Sequence, residues 1–183
     1  MKPAECLAIA KGWRNLRQRR RLRIAFGLLI VSAAIPCLFG RRVIVINTSP
    51  SVRPGLYIRS AVEPAVGAIV DFPIPDAARE YVRERTGCGG EDWFILKPIV
   101  AVPGDRVDCR GDSVVINGRI LAAMPPAFDS RGLPLPAWRQ SRVLGPDEFF
   151  VLSTRIPNSF DSRCYGPITR YEIDAVRRPL ITW

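Results

Sequence analysis

The sequence predicts a mainly β domain of short strands and hairpins with one short helix, preceded by one N-terminal transmembrane helix. Short apolar segments separated by proline and glycine run through residues 43–183, and the chain contains 17 prolines in 183 residues. This spacing is typical of short strands and hairpins. A chain of this length has room for one domain with its own core and a short appendage.

The predicted membrane helix is the uncharged run over 24–40, which as a helix would be about 26 Å long. Arginine stems that reach outwards can make up the difference from the ~30 Å hydrocarbon core. Six arginines precede the run and two follow it, which predicts a cytoplasmic N-terminus. We therefore divide the chain into a basic cytoplasmic segment 1–23, an anchor 24–40 and an exported domain 43–183. A cleaved signal peptide is the alternative, since 32–34 offers small residues.

The net charge of +10 belongs to the N-terminus and not to the domain. Residues 1–42 carry ten basic residues and one acidic residue, whereas residues 43–183 carry 17 basic and 16 acidic ones. A nucleic-acid-binding domain would carry its basic charge on the folded surface. We therefore expect no nucleic-acid partner, although a basic RNA-binding arm is the alternative for the N-terminal segment.

Each predicted element follows from local pattern. One helix is expected over 76–86, where Asp76 can cap it and Gly87 can end it. The dipeptide Asn117-Gly118 between two apolar segments predicts a tight hairpin. Residues 124–137 contain four prolines and are expected to form a surface loop. The predicted strands cover 43–47, 56–59, 67–72, 93–102, 106–109, 114–117, 119–122, 148–153 and a last one near 171–176.

Lys97 is the first candidate for a catalytic group. The chain has 27 basic residues, of which three are lysines, and it has no histidine. Catalytic and metal sites that depend on histidine are therefore excluded. Beyond the first dozen residues Lys97 is the one lysine, and it lies in an apolar segment. A desolvated lysine can lose its proton and an arginine cannot, so Lys97 is a candidate general base.

A lysine base needs a nucleophile, and residues 47–57 supply serine and threonine hydroxyls between prolines. Pro50 biases Ser49 towards extended conformations, and Pro54-Gly55 predicts a turn directly afterwards. A serine held in such a loop can be presented with little freedom, as nucleophilic attack requires. The alternative is a serine- and proline-rich linker beside the membrane.

Three of the five cysteines lie in the domain, where an oxidising compartment would let them pair. Cys88 precedes the Lys97 segment and Cys109 follows the turn after it, so we expect a disulfide between them, worth about 3 kcal/mol. Cys164 would then be left over. Three unpaired thiols are the alternative.

Taken in order, three segments resemble the boxes of the bacterial type I signal peptidases, which are membrane-anchored serine–lysine endopeptidases. The first segment is Ser51 with a proline three residues later, at position 54. The second is Lys97 followed by an apolar run into Pro-Gly-Asp at 103–105, and the third is Asn-Ser-Phe-Asp-Ser-Arg at 158–163. The chain departs from general signal peptidases at Ser51-Val52 and at 152–155, where Ser-Met and Gly-Asp-Asn-Arg are usual. Together with 47–57, the short helix and 129–136, these departures resemble the TraF branch, conjugative-transfer peptidases that mature a pilin.

The resemblance implies a role for each matching residue. Ser51 is the nucleophile and Lys97 its general base, while the Ser49 hydroxyl and the Ser51 amide stabilise the oxyanion. Ser159 orients the lysine amine. Asp161 and Arg163 form a supporting ion pair.

The implied function is a serine endopeptidase in the bacterial inner membrane, with its N-terminus cytoplasmic and its catalytic domain in the periplasm. It would cleave exported precursors with small residues before the scissile bond, most specifically a conjugative pilin, and would need no metal or organic cofactor. The alternatives are a general signal peptidase, a self-cleaving repressor of the LexA type and a non-enzymatic assembly factor of a transfer apparatus.

Overall fold

The computed structural model describes residues 23, 24, 26, 27, 42–88 and 93–183. The chain divides into two compact units, Met1–Ile44 and Val45–Trp183. Residues 23, 24, 26 and 27 are helical, and no helix within the described part of the chain is long and apolar enough to cross a membrane. Apart from those residues, the predicted basic segment 1–23 and the predicted anchor 24–40 lie outside the described part.

The domain is mainly β, as predicted, and its strands form two sheets. The larger sheet has the order β1-β2-β11-β3-β4-β9-β10, and the smaller one has the order β7-β6-β5-β8. A longer helix follows β3 and a single helical turn follows β9. The elements are β1 Ile44–Asn47, β2 Gly55–Ser60, β3 Ile69–Pro73, α1 Asp76–Thr86, β4 Phe94–Ala101, β5 Arg106–Asp108, β6 Ser113–Ile116, β7 Arg119–Ala123, β8 Ser141–Val143, β9 Glu148–Val151, α2 Ser162–Tyr165, β10 Ile168–Thr169 and β11 Ala175–Thr182.

Local sequence patterns located α1 and the β6–β7 hairpin correctly. Helix α1 ends at Gly87, which adopts the left-handed conformation with φ 76°. Asn117 and Gly118 have φ of 49° and 80°, as a two-residue hairpin of the predicted kind requires. The cap was predicted wrongly: Asp76 is the first helical residue, and it forms an ion pair with Arg79 at 2.7 Å instead of capping the helix.

The remaining differences concern short or edge elements. The last strand begins four residues later than expected, because Ala175–Thr182 is the segment that pairs with both β2 and β3. Strands β8 and β10 and helix α2 were not predicted, since segments of two to four residues show no clear periodicity.

The core consists of two apolar clusters on opposite sides of β9. Alternate residues of this strand serve the two clusters, with Val151 in the first and Phe150 in the second. The first cluster also contains α1, β3 and Ile99 of β4. The pairing of β4 with β9 shifts by one residue between Ile99 and Ala101, and this bulge turns Ala101 into the second cluster. Strand β4 thus contributes to both clusters.

The disulfide expected between Cys88 and Cys109 is not formed in this structure, where Cys88, Cys109 and Cys164 are all unpaired. Cys88 is exposed and lies two residues after the end of α1, whereas Cys109 is fully buried in the second cluster. Burial raises the pKa of the Cys109 and Cys164 thiols to about 12. These two thiols therefore act as small apolar core groups.

Candidate active site

The amine of Lys97 is buried beside a serine hydroxyl. Lys97 lies on β4 opposite Val70 of β3, and it is 4% exposed. Its Nζ donates a hydrogen bond to Ser159 Oγ at 2.9 Å. Burial lowers the pKa of Lys97 to about 8; the Asp161 carboxylate opposes this shift and the Arg163 guanidinium reinforces it. With a pKa near 8, about a tenth of this amine is neutral at pH 7 and about half at pH 8.

The ion pair between Asp161 and Arg163 supports the segment that carries Ser159. Asp161 caps α2, and its carboxylate accepts two hydrogen bonds from the Arg163 side chain, at 2.8 and 2.9 Å. Arg163 also donates to the carbonyl oxygens of Ser159 at 3.3 Å and Pro157 at 3.0 Å. Both side chains are almost completely buried, so the predicted pair is formed and fixes the backbone on both sides of Ser159.

Ser49 and Ser51 lie together in the loop between β1 and β2. Their hydroxyl oxygens are 3.0 Å apart, and the Ser51 amide donates to Ser49 Oγ at 3.4 Å. Ser51 is 2% exposed. Gly55 ends this loop and starts β2, and a Cβ there would lie 2.2 Å from the carbonyl oxygen of Ile181 in β11. Glycine is therefore required for the loop to join the sheet at this point.

The loop that holds Ser51 is fixed by side chains and not by a strand ladder. All five carbonyl oxygens of residues 49–53 accept side-chain hydrogen bonds. Asn47 Nδ2 donates to the carbonyl oxygens of residues 49, 52 and 53, at 3.0 to 3.1 Å. Arg155 Nε donates to the carbonyl oxygen of residue 50 at 3.2 Å, and Ser153 Oγ donates to that of residue 51. The Tyr57 hydroxyl donates to that of residue 53 at 2.6 Å. The loop backbone is thus fully constrained.

The serine loop and the lysine are connected through the segment after β9. Ser153 Oγ donates to the Ser51 carbonyl oxygen, and the Ser153 amide donates to the Asp161 carboxylate at 3.2 Å. Within residues 42–88 and 93–183, no hydrogen bond joins Ser51 directly to Lys97. The hydroxyl of Ser51 instead contacts Ser49.

Ser51 lines a cleft of about 350 Å³. Its walls are contributed by β2, β3, β4, the segment after β9 and the end of β11: Val52, Arg53, Tyr57, Gly67, Ile69, Pro98, Ser153, Thr154, Arg155, Pro179 and Thr182. Most of this lining is apolar or small. In the described part of the chain, no three Cys, Asp or Glu side chains lie close enough together to hold a metal ion.

Sequence reasoning missed four residues that shape this site: Asn47, Tyr57, Ser153 and Arg155. For Asn47 a signal was available, because an asparagine at a strand end can bond to the backbone of the turn that follows. The contact of Ser153 with the serine loop spans 102 positions of the chain. No local pattern predicts such a contact.

Comparisons with known proteins agree with the resemblance read from the sequence. Residues 18–181 match the family model described as signal peptidase, peptidase S26. A plasmid transfer protein TraF from Escherichia coli is 36% identical over 175 residues, which cover 88% of this chain and 97% of that protein. A conjugal transfer protein TraF from Agrobacterium fabrum is 29% identical, with 86% and 92% covered. A solved signal peptidase I from Enterococcus faecalis is 23% identical, with a TM-score of 0.40 over 64% of this chain and 98% of that one.

Proposed function

The chain belongs to the signal peptidase S26 family, and we propose that it is a membrane-anchored serine endopeptidase in which Ser51 is the nucleophile and Lys97 the general base. The observation that carries this proposal is the buried amine of Lys97, whose pKa is lowered to about 8 next to the Ser159 hydroxyl. Burying an amine without a carboxylate partner is unfavourable. Such an arrangement is expected where the neutral amine is needed for proton transfer.

The proposed reaction is acyl transfer through Ser51. The first step requires Ser51 Oγ to leave Ser49 Oγ and to contact Lys97 Nζ. It then attacks the scissile carbonyl carbon while Lys97 Nζ takes its proton. The C–N bond breaks and the same proton passes to the leaving amine. Water, deprotonated by Lys97, then attacks the acyl carbon. The bond between that carbon and Ser51 Oγ breaks, and Lys97 returns the proton to Ser51 Oγ.

The Ser49 hydroxyl and the Ser51 amide are the proposed donors to the oxyanion. The short distances among Ser49 Oγ, Ser51 Oγ and Ser51 N support this role, because both donors lie at Ser51, which lines the cleft. In the structure the Ser51 amide bonds to Ser49 Oγ, so the oxyanion would replace that hydroxyl as the acceptor of the amide. Two donors aimed at one point stabilise the charge that develops there. Ser159 is proposed to orient the amine, and the Asp161–Arg163 pair to hold Ser159.

The proposed substrate is an exported precursor with small residues before the scissile bond, most specifically a conjugative pilin. Relatives of this chain are named as plasmid and conjugal transfer proteins, and this supports a role in conjugative transfer over one in general secretion. We further propose that residues 24–40 anchor the enzyme in the inner membrane, with residues 1–23 in the cytoplasm and residues 43–183 in the periplasm. A comparison of cleavage of a pilin precursor and a secretory precursor by the full chain in membranes tests the substrate class.

Covalent trapping separates an enzyme from a non-enzymatic assembly factor. The full-length protein is incubated with a short alanine peptide p-nitrophenyl ester, and the acylated residue is identified by mass spectrometry. We expect an acyl group on Ser51. A protein that stays unmodified, or that is acylated equally in the Ser51→Ala variant, would contradict the proposal.

The pH dependence of cleavage follows from the amine of Lys97. A general base works in its neutral form, so activity should be low at pH 6 and should rise through a midpoint near 8. The measurement is the rate of acylation or precursor cleavage between pH 6 and 10 at constant ionic strength. A rate that falls over this range would show that the group at position 97 acts in its protonated form.

A further inference from the structure

The two peptide groups on either side of Ser51 are both held by one distant segment. Arg155 Nε donates to the Pro50 carbonyl oxygen at 3.2 Å, and Ser153 Oγ donates to the carbonyl oxygen of Ser51 itself. The Arg155 amide donates to Ser153 Oγ at 3.2 Å, which orients that hydroxyl. Ser153 is 1% exposed and Arg155 lies at the surface.

These two contacts determine the backbone conformation of Ser51. A peptide unit is planar, so the direction of the Pro50 carbonyl also sets the direction of the Ser51 N–H on the opposite edge of the same unit. The bond to the Ser51 carbonyl fixes the following unit. With both units held, the φ and ψ of Ser51 are fixed, and so is the point from which its hydroxyl projects.

The same segment relates the serine loop to the lysine. The Ser153 amide donates to the Asp161 carboxylate at 3.2 Å, and Asp161 pairs with Arg163, which donates to the Ser159 carbonyl oxygen. Ser159 in turn accepts from Lys97. Ser153 therefore bonds both to the serine loop, through its hydroxyl, and to the Asp161 carboxylate on the lysine side of the site, through its amide.

We propose that Ser153 and Arg155 are positioning residues that hold Ser51, and above all its amide, in the orientation required for oxyanion stabilisation. This inference rests on the proposed function, since it assumes that Ser51 is the nucleophile. Both side chains also line the cleft beside Ser51, but the proposed role acts through the loop backbone and not through contact with the substrate. Arg155 orients the Ser51 amide by holding the Pro50 carbonyl of the same peptide unit. Ser153 holds the Ser51 carbonyl and also bonds to Asp161 on the lysine side of the site.

The test is the acylation kinetics of the full-length protein with an acetylated trialanine p-nitrophenyl ester. Ser153→Ala and Arg155→Ala should each lower the acylation rate constant at saturation by roughly 10- to 100-fold, below the loss expected for a deleted oxyanion donor. The half-saturating ester concentration should change by less than about threefold, since ground-state binding is retained. Ser153→Thr and Arg155→Lys, which keep a donor, should recover a substantial part of the rate.

The pH midpoint distinguishes positioning from a general loosening of the fold. In Arg155→Ala it should equal that of the wild type, because the burial of Lys97 is unchanged. Ser141→Ala and Arg131→Ala are the matched controls. Ser141 is half-buried in β8 and its hydroxyl donates to the Asp108 carboxylate, and Arg131 is exposed and donates to the Arg85 carbonyl oxygen. Both should acylate at nearly the wild-type rate.

Each outcome is decisive. Wild-type rates in Ser153→Ala and Arg155→Ala, or an equal loss in the controls, would overturn the positioning role while leaving the nucleophile in place. A loss confined to the half-saturating concentration would also overturn it. A wild-type protein that forms no adduct on Ser51 would remove the proposed function and this inference together. If Ser153→Ala does not fold, the surface variant Arg155→Ala still decides the matter.

Discussion

Replacing Lys97 with arginine should abolish processing, with a fall in cleavage rate of at least about 10⁴-fold. Arginine keeps the positive charge but cannot give up its proton at working pH, so no base remains for the serine hydroxyl. Ser51→Ala should be equally inactive because it lacks the attacking oxygen. The measurement is precursor cleavage by the full-length variants in membranes. An active Lys97→Arg enzyme would contradict the assignment of the base.

Lys97→Met is the control that separates chemistry from folding. It should be as inactive as Lys97→Arg, yet more stable than the wild type by roughly 2 kcal/mol at pH 7, because burial of a charged amine is avoided and one hydrogen bond is lost. The folded pKa of Lys97 is about 8 and the reference value is 10.5. The unfolded state therefore binds more protons between these values, and wild-type stability rises with pH there. The advantage of Lys97→Met should be complete below pH 8 and disappear towards pH 10.5, as followed by thermal unfolding.

Removing the guanidinium of Arg163 should have the largest effect on stability. Arg163→Met leaves the carboxylate of Asp161 buried without its partner, and such a change typically lowers the free energy of unfolding by about 3–5 kcal/mol. Three backbone carbonyls, of Ala123, Pro157 and Ser159, also lose a donor. Cleavage should fall in parallel, because Ser159 is no longer held beside Lys97. Circular dichroism during thermal unfolding measures the stability change.

The chain contains a matched control for this variant. Asp108 and Arg110 form an ion pair with the same two-residue spacing, but the Arg110 side chain is 66% exposed. An exposed pair is screened by solvent, so Arg110→Met should leave both the melting temperature and the cleavage rate nearly unchanged. Equal destabilisation by the two variants would show that burial is not what makes the Asp161–Arg163 pair important.

Much of the site could be predicted because its chemistry depends on residue types that stand out in this composition. A chain without histidine and with a single lysine in the domain leaves Lys97 as the candidate base. The structure places Lys97 in contact with Ser159 and Asp161 in contact with Arg163, and the roles that the family resemblance implies for these residues stay predictions. The Cys88–Cys109 bridge was expected from order along the chain alone, and it fails because Cys109 points into the second apolar cluster.

By itself, the sequence determined the mainly β class, the bounds of α1, the Asn117-Gly118 hairpin and the identity of the candidate base. These features depend on periodicity, turn chemistry and composition, which act over a few residues. The tertiary structure alone decided that every carbonyl of the serine loop is bonded by a side chain, and that Ser153 and Arg155 supply two of those bonds. Such contacts depend on how β9 lies beside β4 in the folded sheet, and a residue's distance along the chain carries no information about that placement.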